Sequence, residues 1–220
     1  MLIAFDLDDT LYKEMTYVAS GYRTVAKALA DATGADAGML FDTIAANRPL
    51  GFEAALDAVK GLPGADTYTV ADMIELYRAH TPDITLHGTA LETLERLSAQ
   101  GHTLALITDG STRHQRAKIK ALGLERFFAP DNILISEETG GDKTTEVPWK
   151  IIENRFPGMR LAYVGDNLFK DFRLPNMRGW HTVMLRDTDG ANVFPQDIAA
   201  WPPENRPHTT VDTLSMLRFA

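Results

Sequence analysis

Leu2-Ile3-Ala4-Phe5-Asp6-Leu7-Asp8-Asp9-Thr10-Leu11 decides how the whole chain is read. Its first four residues are apolar with no polar alternation, as in a strand covered on both faces, and carboxylates begin where that strand should end. Residues 104–107, 161–164 and 182–185 repeat the pattern. Helix-period segments lie between the runs. Thr89 with Glu92 reads as a capping box ahead of Leu91, Leu94 and Leu97, with Gly101 as a left-handed stop. Thr112 with Gln115 repeats the device ahead of Ile119 and Leu122, and Gly123 follows. Strands alternating with helices of this length predict an α/β protein, a Rossmann-like parallel sheet with helices on both faces.

Residues 15–83 depart from that rhythm, with helical stretches and no convincing strand. Tyr22, Val25, Ala26 and Leu29 share one helical face, and 39–46, 52–59 and 70–79 supply further helices, punctuated by Pro49, Gly61, Pro63, Gly64 and Pro82. The expected organisation is an α/β core of residues 1–14 and 84–220 with a small all-helical domain, 15–83, inserted after the first strand. Residues 187–207 read as irregular surface chain before a last strand at 209–211 and a short helix carrying Leu214 and Leu217. Pro175 should kink or end the helix that holds it.

The chain has 220 residues, 22 Lys+Arg against 30 Asp+Glu, a net charge of −8 and 45% hydrophobic residues. With no basic run, neither nucleic acid nor an anionic membrane is expected as its partner. The absence of cysteine excludes disulfides, thiolate nucleophiles and thiolate metal sites, and goes with a cytoplasmic protein. The opening apolar run, broken at Asp6, is too short for a signal peptide or a membrane span.

In open parallel sheets ligands bind beyond the carboxyl ends of the strands. After the first run come Asp6, Asp8, Asp9 and Thr10; after the second, Thr108, Asp109 and Gly110; after the third, Gly165, Asp166, Asn167 and then Asp171. Gathered carboxylates raise one another's pKa unless a cation sits among them, and oxygen-only ligands point to Mg2+ over Zn2+. Asp6 and Asp8, two apart, point to one side of an extended chain. One can attack while the other shuttles a proton. Thr108, backbone N–H groups near Asp109 and Gly110, and a lysine can neutralise phosphoryl oxygens.

These stretches resemble the haloacid dehalogenase superfamily. Phe5-Asp6-Leu7-Asp8-Asp9-Thr10-Leu11 looks like its first motif, Leu106-Ile107-Thr108-Asp109-Gly110 like its second, and Tyr163-Val164-Gly165-Asp166-Asn167 with Asp171 like its fourth. The resemblance implies Asp6 as nucleophile, Asp8 as general acid/base and Thr108 as phosphoryl binder. It further implies Mg2+ held by Asp6, the Asp8 carbonyl and Asp166 with Asp171 in support, and a helical cap between the first two motifs. The third motif departs from the family's Gly-x-x-Lys-Pro: here it reads Gly140-Gly141-Asp142-Lys143-Thr144, with proline only at Pro148. Lys143 is the assigned phosphate-binding lysine and Lys150 the alternative. The activity implied is hydrolysis of a small phosphorylated metabolite, with sugar phosphates or nucleotides favoured, by a monomer or homodimer. A phosphosugar mutase, a haloacid dehalogenase and a non-catalytic binding protein are the alternatives. Asp8 counts against dehalogenation, since halide leaves without a proton.

Overall fold

In the computed structural model, which describes residues 1–219, Leu2–Phe5 forms the first strand (β1), and all four of its side chains are fully buried. β2 (Thr103–Thr108) lies on one side of it, with β3 (Ile133–Ile135) beyond; β4 (Leu161–Gly165), β5 (His181–Leu185) and β6 (Thr209–Val211) extend the other side. Every pairing is parallel, with Leu2 opposite both Thr103 and Leu161. The order β3-β2-β1-β4-β5-β6 reverses direction between β1 and β4, which opens a crevice beyond their carboxyl ends.

The chain divides into two compact units, Thr16–Ile84 and the remainder. The first holds most of α1 (Glu14–Thr33) together with α2 (Ala37–Ala46), α3 (Gly51–Ala58) and α4 (Val70–Ala79). Val25, Ala26 and Leu29 of α1 meet Leu40, Ile44, Ala55, Val59 and Met73 in its core, with Tyr22 packed against them. Asp36 caps α2, and Thr69 with Asp72 forms a reciprocal capping box on α4.

The sheet unit adds α5 (Ala90–Ala99), α6 (Thr112–Ala121), α7 (Ser136–Thr139), α8 (Val147–Arg155) and α9 (Arg173–Met177). Among the described residues no helix is long and apolar enough to cross a membrane. On one face of the sheet Trp149 stands edge-on to Tyr163 and Trp180, with centroids 5.0 and 5.3 Å away, and all three are buried.

Local expectations fail where a tertiary partner outbids them. Thr89 caps nothing with its side chain, which instead accepts from the Ser215 N–H. At α6 the N-cap is Ser111, not Thr112, and Gln115 points into the protein, 1% exposed. Pro175 falls in the first turn of α9, where its missing N–H has no partner to lose, so it neither kinks nor ends a helix. The end of the chain forms a 3-10 turn at Leu214–Met216. β3, absent from the sequence reading, has only three residues and follows a 3-10 turn at Pro130–Asn132.

Trp149→Ala should lower the unfolding free energy by ~3–5 kcal/mol, read from denaturant titration. A loss below ~1 kcal/mol would mean that the aromatic cluster is not the centre of this core.

Candidate active site

The Asp6 N–H donates to the Val164 carbonyl at 2.8 Å, which extends the sheet by one residue and fixes Asp6 beside the end of β4. The chain then turns back: the Leu11 N–H bonds to the Leu7 carbonyl at 3.0 Å, and Asp9 adopts φ 54°. Aspartate tolerates that left-handed conformation because its side chain can bond locally. Its carboxylate accepts from the N–H groups of Glu14 (2.9 Å) and Val193 (2.8 Å), so Asp9 ties the turn down.

Asp6, Asp8, Thr108, Asp109, Lys143 and Asp166 line one cavity of about 120 Å3. Lys143, 3% exposed, places its Nζ 2.9 Å from Asp6 Oδ1 and 2.6 Å from Asp171 Oδ1. Its backbone is pinned as well, since its N–H donates to Asp109 Oδ1 at 3.1 Å and its carbonyl accepts from Trp149 Nε1 at 3.1 Å. Lys150 is exposed and pairs with Glu146 one helical turn away.

Asp171 is fully buried, and both its oxygens are engaged. Oδ1 accepts from Tyr163 Oη and Lys143, and Oδ2 from the N–H groups of Asp166 and Asn167 at 3.0 and 2.8 Å. Gly165 makes this approach possible: a Cβ there would stand 2.5 Å from Asp171 Oδ2. Asp171 thus holds the loop that carries Asp166 and orients Lys143. Asp166 accepts from Asn192 Nδ2 at 2.9 Å.

The carboxylates facing Lys143 outnumber it. Asp6, Asp166 and Asp171 each offer an oxygen within 4.8 Å of the others and are all buried, and Lys143 is the ammonium paired among them. Burial first, with Lys143 opposing and Asp171 and Asp8 adding, holds the Asp6 carboxyl well above the ordinary aspartate range. Burial, then Asp171 and Asp6, does the same for Asp166. Burial alone would favour a neutral Lys143, but Asp171 and Asp6 keep it charged, well above the usual lysine range. Three carboxylates on one ammonium leave a deficit that a divalent cation matches, and the all-oxygen donor set fits Mg2+.

Asp8 lives differently. Its Oδ1 accepts from Lys118 Nζ at 2.7 Å and from the Tyr12 hydroxyl, and its Oδ2 from Gln115 Nε2 at 3.0 Å. Burial would raise its carboxyl, but the Lys118 ammonium and these hydrogen bonds hold it below the ordinary value. Tyr12, pushed up by burial and Asp8, stays a protonated donor.

Gly110 is not brought to the cavity, since its N–H donates to Ser136 Oγ at 2.9 Å. Asp109 lines the cavity, yet its side chain bridges the Lys143 N–H and Lys170 Nζ (3.0 Å), so it braces the lysines and does not face an anion. Sequence reasoning missed Tyr12, Gln115, Lys118, Lys170, Asn192 and Phe194. Gln115 and Lys118, seven and ten residues after Thr108 and three apart on one helix, carried a signal that the capping reading hid. Asn192 and Phe194 belong to the segment expected to be surface chain, yet Phe194 lines the cavity.

A doubly wound parallel sheet, with a carboxylate paired to a buried lysine at its switch point, is an arrangement suited to hydrolysis through a carboxylate nucleophile. Residues 1–173 match the haloacid dehalogenase-like hydrolase family. The chain is 31% identical to the ribulose-1,5-bisphosphate 5-phosphatase of Halopiger xanaduensis over 77% of this chain and 70% of that protein. It is also 31% identical to the glyceraldehyde 3-phosphate phosphatase of Methanocaldococcus jannaschii over 83% of each. Its fold is that of the HAD-hydrolase YfnB from Bacillus subtilis, with a TM-score of 0.61 at 19% identity over 97% of this chain and 95% of that one. The chain belongs to the haloacid dehalogenase-like hydrolase family.

The charge deficit has a pH signature. A carboxyl whose folded pKa is raised holds more protons in the native state than in the unfolded one, so stability falls as pH climbs from the ordinary value of 3.8 through the folded one. The lowered carboxyls of Asp8, Asp72, Glu137, Asp142, Glu146, Glu153 and Asp189 contribute fully above about pH 5. With chelator present, the urea midpoint should therefore fall between about pH 7 and pH 9, above the range in which the lowered imidazoles of His102 and His181 act the other way, and Mg2+ should flatten that slope. A midpoint that rises over this range would contradict the charge count.

Proposed function

We propose that this enzyme is a Mg2+-dependent phosphatase of small phosphorylated sugars that works through a phospho-aspartyl intermediate on Asp6. The observation that carries the reading is the buried Asp6–Lys143 pair in a cavity shared with Thr108, Asp8 and Asp166. The two curated relatives, named for ribulose-1,5-bisphosphate and glyceraldehyde 3-phosphate, support a sugar phosphate over a nucleotide. The absence of cysteine supports a cytoplasmic setting, and the helical unit, tethered to the sheet unit at both ends, is assigned the role of substrate-selecting cap.

Asp6 attacks phosphorus through a carboxylate oxygen, and the bond from phosphorus to the sugar oxygen breaks. Asp8 gives its proton to that departing oxygen. Ionised again, Asp8 takes a proton from the water that attacks the phospho-aspartate, which frees Asp6 and inorganic phosphate. Lys118 holds Asp8 ionised in the free site, and the arriving phosphate dianion works against it, because a like charge raises a carboxyl pKa, so Asp8 takes up from solvent, as substrate binds, the proton that it then gives to the leaving oxygen. Lys143 and the Thr108 hydroxyl neutralise phosphoryl oxygens. Asp6, the Asp8 carbonyl and Asp166, braced by Asp171, would hold Mg2+, which supplies charge stabilisation to the transferring phosphoryl group.

Phosphate release from an aryl phosphate and a panel of sugar phosphates, with and without Mg2+, tests this reading. Asp6→Asn should abolish turnover, and Asp8→Asn should slow it by ~10²–10⁴-fold while the fold survives. No release by the wild type from any substrate, or undiminished release by Asp6→Asn, would overturn it. Mg2+ at ~100 times its Kd should stabilise the wild type by ~2.7 kcal/mol in denaturant titration, and Asp166→Asn should lose most of that gain.

A further inference from the structure

α6 begins just after the Thr108 strand end, and two of its side chains, Gln115 and Lys118, turn inward and are buried. Gln115 Nε2 stands 2.5 Å from Thr108 Oγ1, 3.0 Å from Asp8 Oδ2 and 3.2 Å from the Asp109 carbonyl. Two of these three neighbours can only accept. The amide nitrogen must therefore face them, because its oxygen would find no proton on a carboxylate or a carbonyl. Thr108 Oγ1 then accepts from Gln115, and its own proton is left for another acceptor. No acceptor for that proton stands among the described residues, and Thr108 lines the cavity.

Resting on the phosphatase reading, we propose that Gln115 is a positioning residue for phosphoryl transfer: its amide turns the Thr108 hydroxyl into a donor aimed at the phosphoryl group and sets the Asp8 carboxylate in register with it. One nitrogen thereby links the group that holds the phosphate to the group that serves the leaving oxygen. Lys118 and Tyr12 secure the opposite oxygen of Asp8, so the carboxylate is fixed from both sides. Neither residue needs to touch substrate. Their effect reaches it through Thr108 and Asp8.

Gln115→Met and Gln115→Glu separate this role from space filling. Methionine keeps the length without the donor. Glutamate keeps the shape of glutamine, but any single proton it carries goes to Asp8, so Thr108 must donate to it and turn away from the phosphate. The readouts are inhibition by inorganic phosphate, and the ratio of kcat on an alkyl phosphate such as glycerol phosphate to kcat on p-nitrophenyl phosphate, whose leaving group needs little help from an acid. Phosphate inhibition should weaken ~10-fold in Gln115→Met and further in Gln115→Glu, and the alkyl-to-aryl ratio should fall ~10-fold in both. A Gln115→Glu enzyme close to wild type in both readouts overturns the assignment. So do variants that lose alkyl and aryl turnover by one common factor with phosphate inhibition intact, the pattern of simple unfolding. A wild type inert toward both phosphate esters defeats the phosphatase reading itself, whereas an active wild type with indifferent Gln115 variants defeats only this inference.

Discussion

The rest of the site hangs on one buried ammonium. Lys143 is nearly inaccessible, yet it keeps its charge because Asp6 and Asp171 lie within 3 Å of it. Such a group is costly to desolvate and is stable only when its partners are complete, so the protein spends core packing on placing it. Trp149, itself at the centre of the aromatic cluster, hydrogen-bonds the Lys143 carbonyl, and Asp109 holds its N–H. The hydrophobic core and the polar site are therefore joined through one residue's backbone. Asp171 completes the frame by gripping the Asp166 loop with one oxygen and Lys143 with the other.

Asp6 and Asp8 show how two like residues, two positions apart, are given different chemical characters. Asp6 faces a crowd of carboxylates and one shared lysine, and its carboxyl is pushed up; Asp8 has Lys118 and two neutral donors, and its carboxyl is pulled down. Opposed environments of this kind are how one fold assigns separate duties to paired acids. The division is set by α6 on one side and by the Asp142–Thr144 turn on the other, so neither is visible in the Asp-x-Asp spacing.

The strand ends were legible because a hydrophobic run that stops at a carboxylate is ordinary once in a chain, whereas three such runs mark carboxylates gathered at one edge of a sheet. Asp6, Asp8, Thr108, Lys143 and Asp166 line one cavity. The Gly110 N–H was misread because the sequence does not reveal competing partners: Ser136 Oγ takes it. Gln115 was misread for the opposite reason. Its spacing from Thr112 matched a local capping rule, and only the fold shows that the side chain has a better use. β3 escaped because three residues carry too little periodicity to register.

β1 is the first strand of the chain and also one of the two innermost strands of the sheet, and this has a consequence for biosynthesis. Leu2 pairs with Thr103 and with Leu161, so the strand must wait for both neighbours while most of the polypeptide is made. Until then both of its edges are unsatisfied and its side chains are wholly apolar, which is the form in which a segment recruits the wrong partner. The intervening helical unit has its own core and only local connections, so it can mature during that delay. The position of Asp6 is thus fixed late in synthesis, since its N–H finds its acceptor only when Val164 arrives.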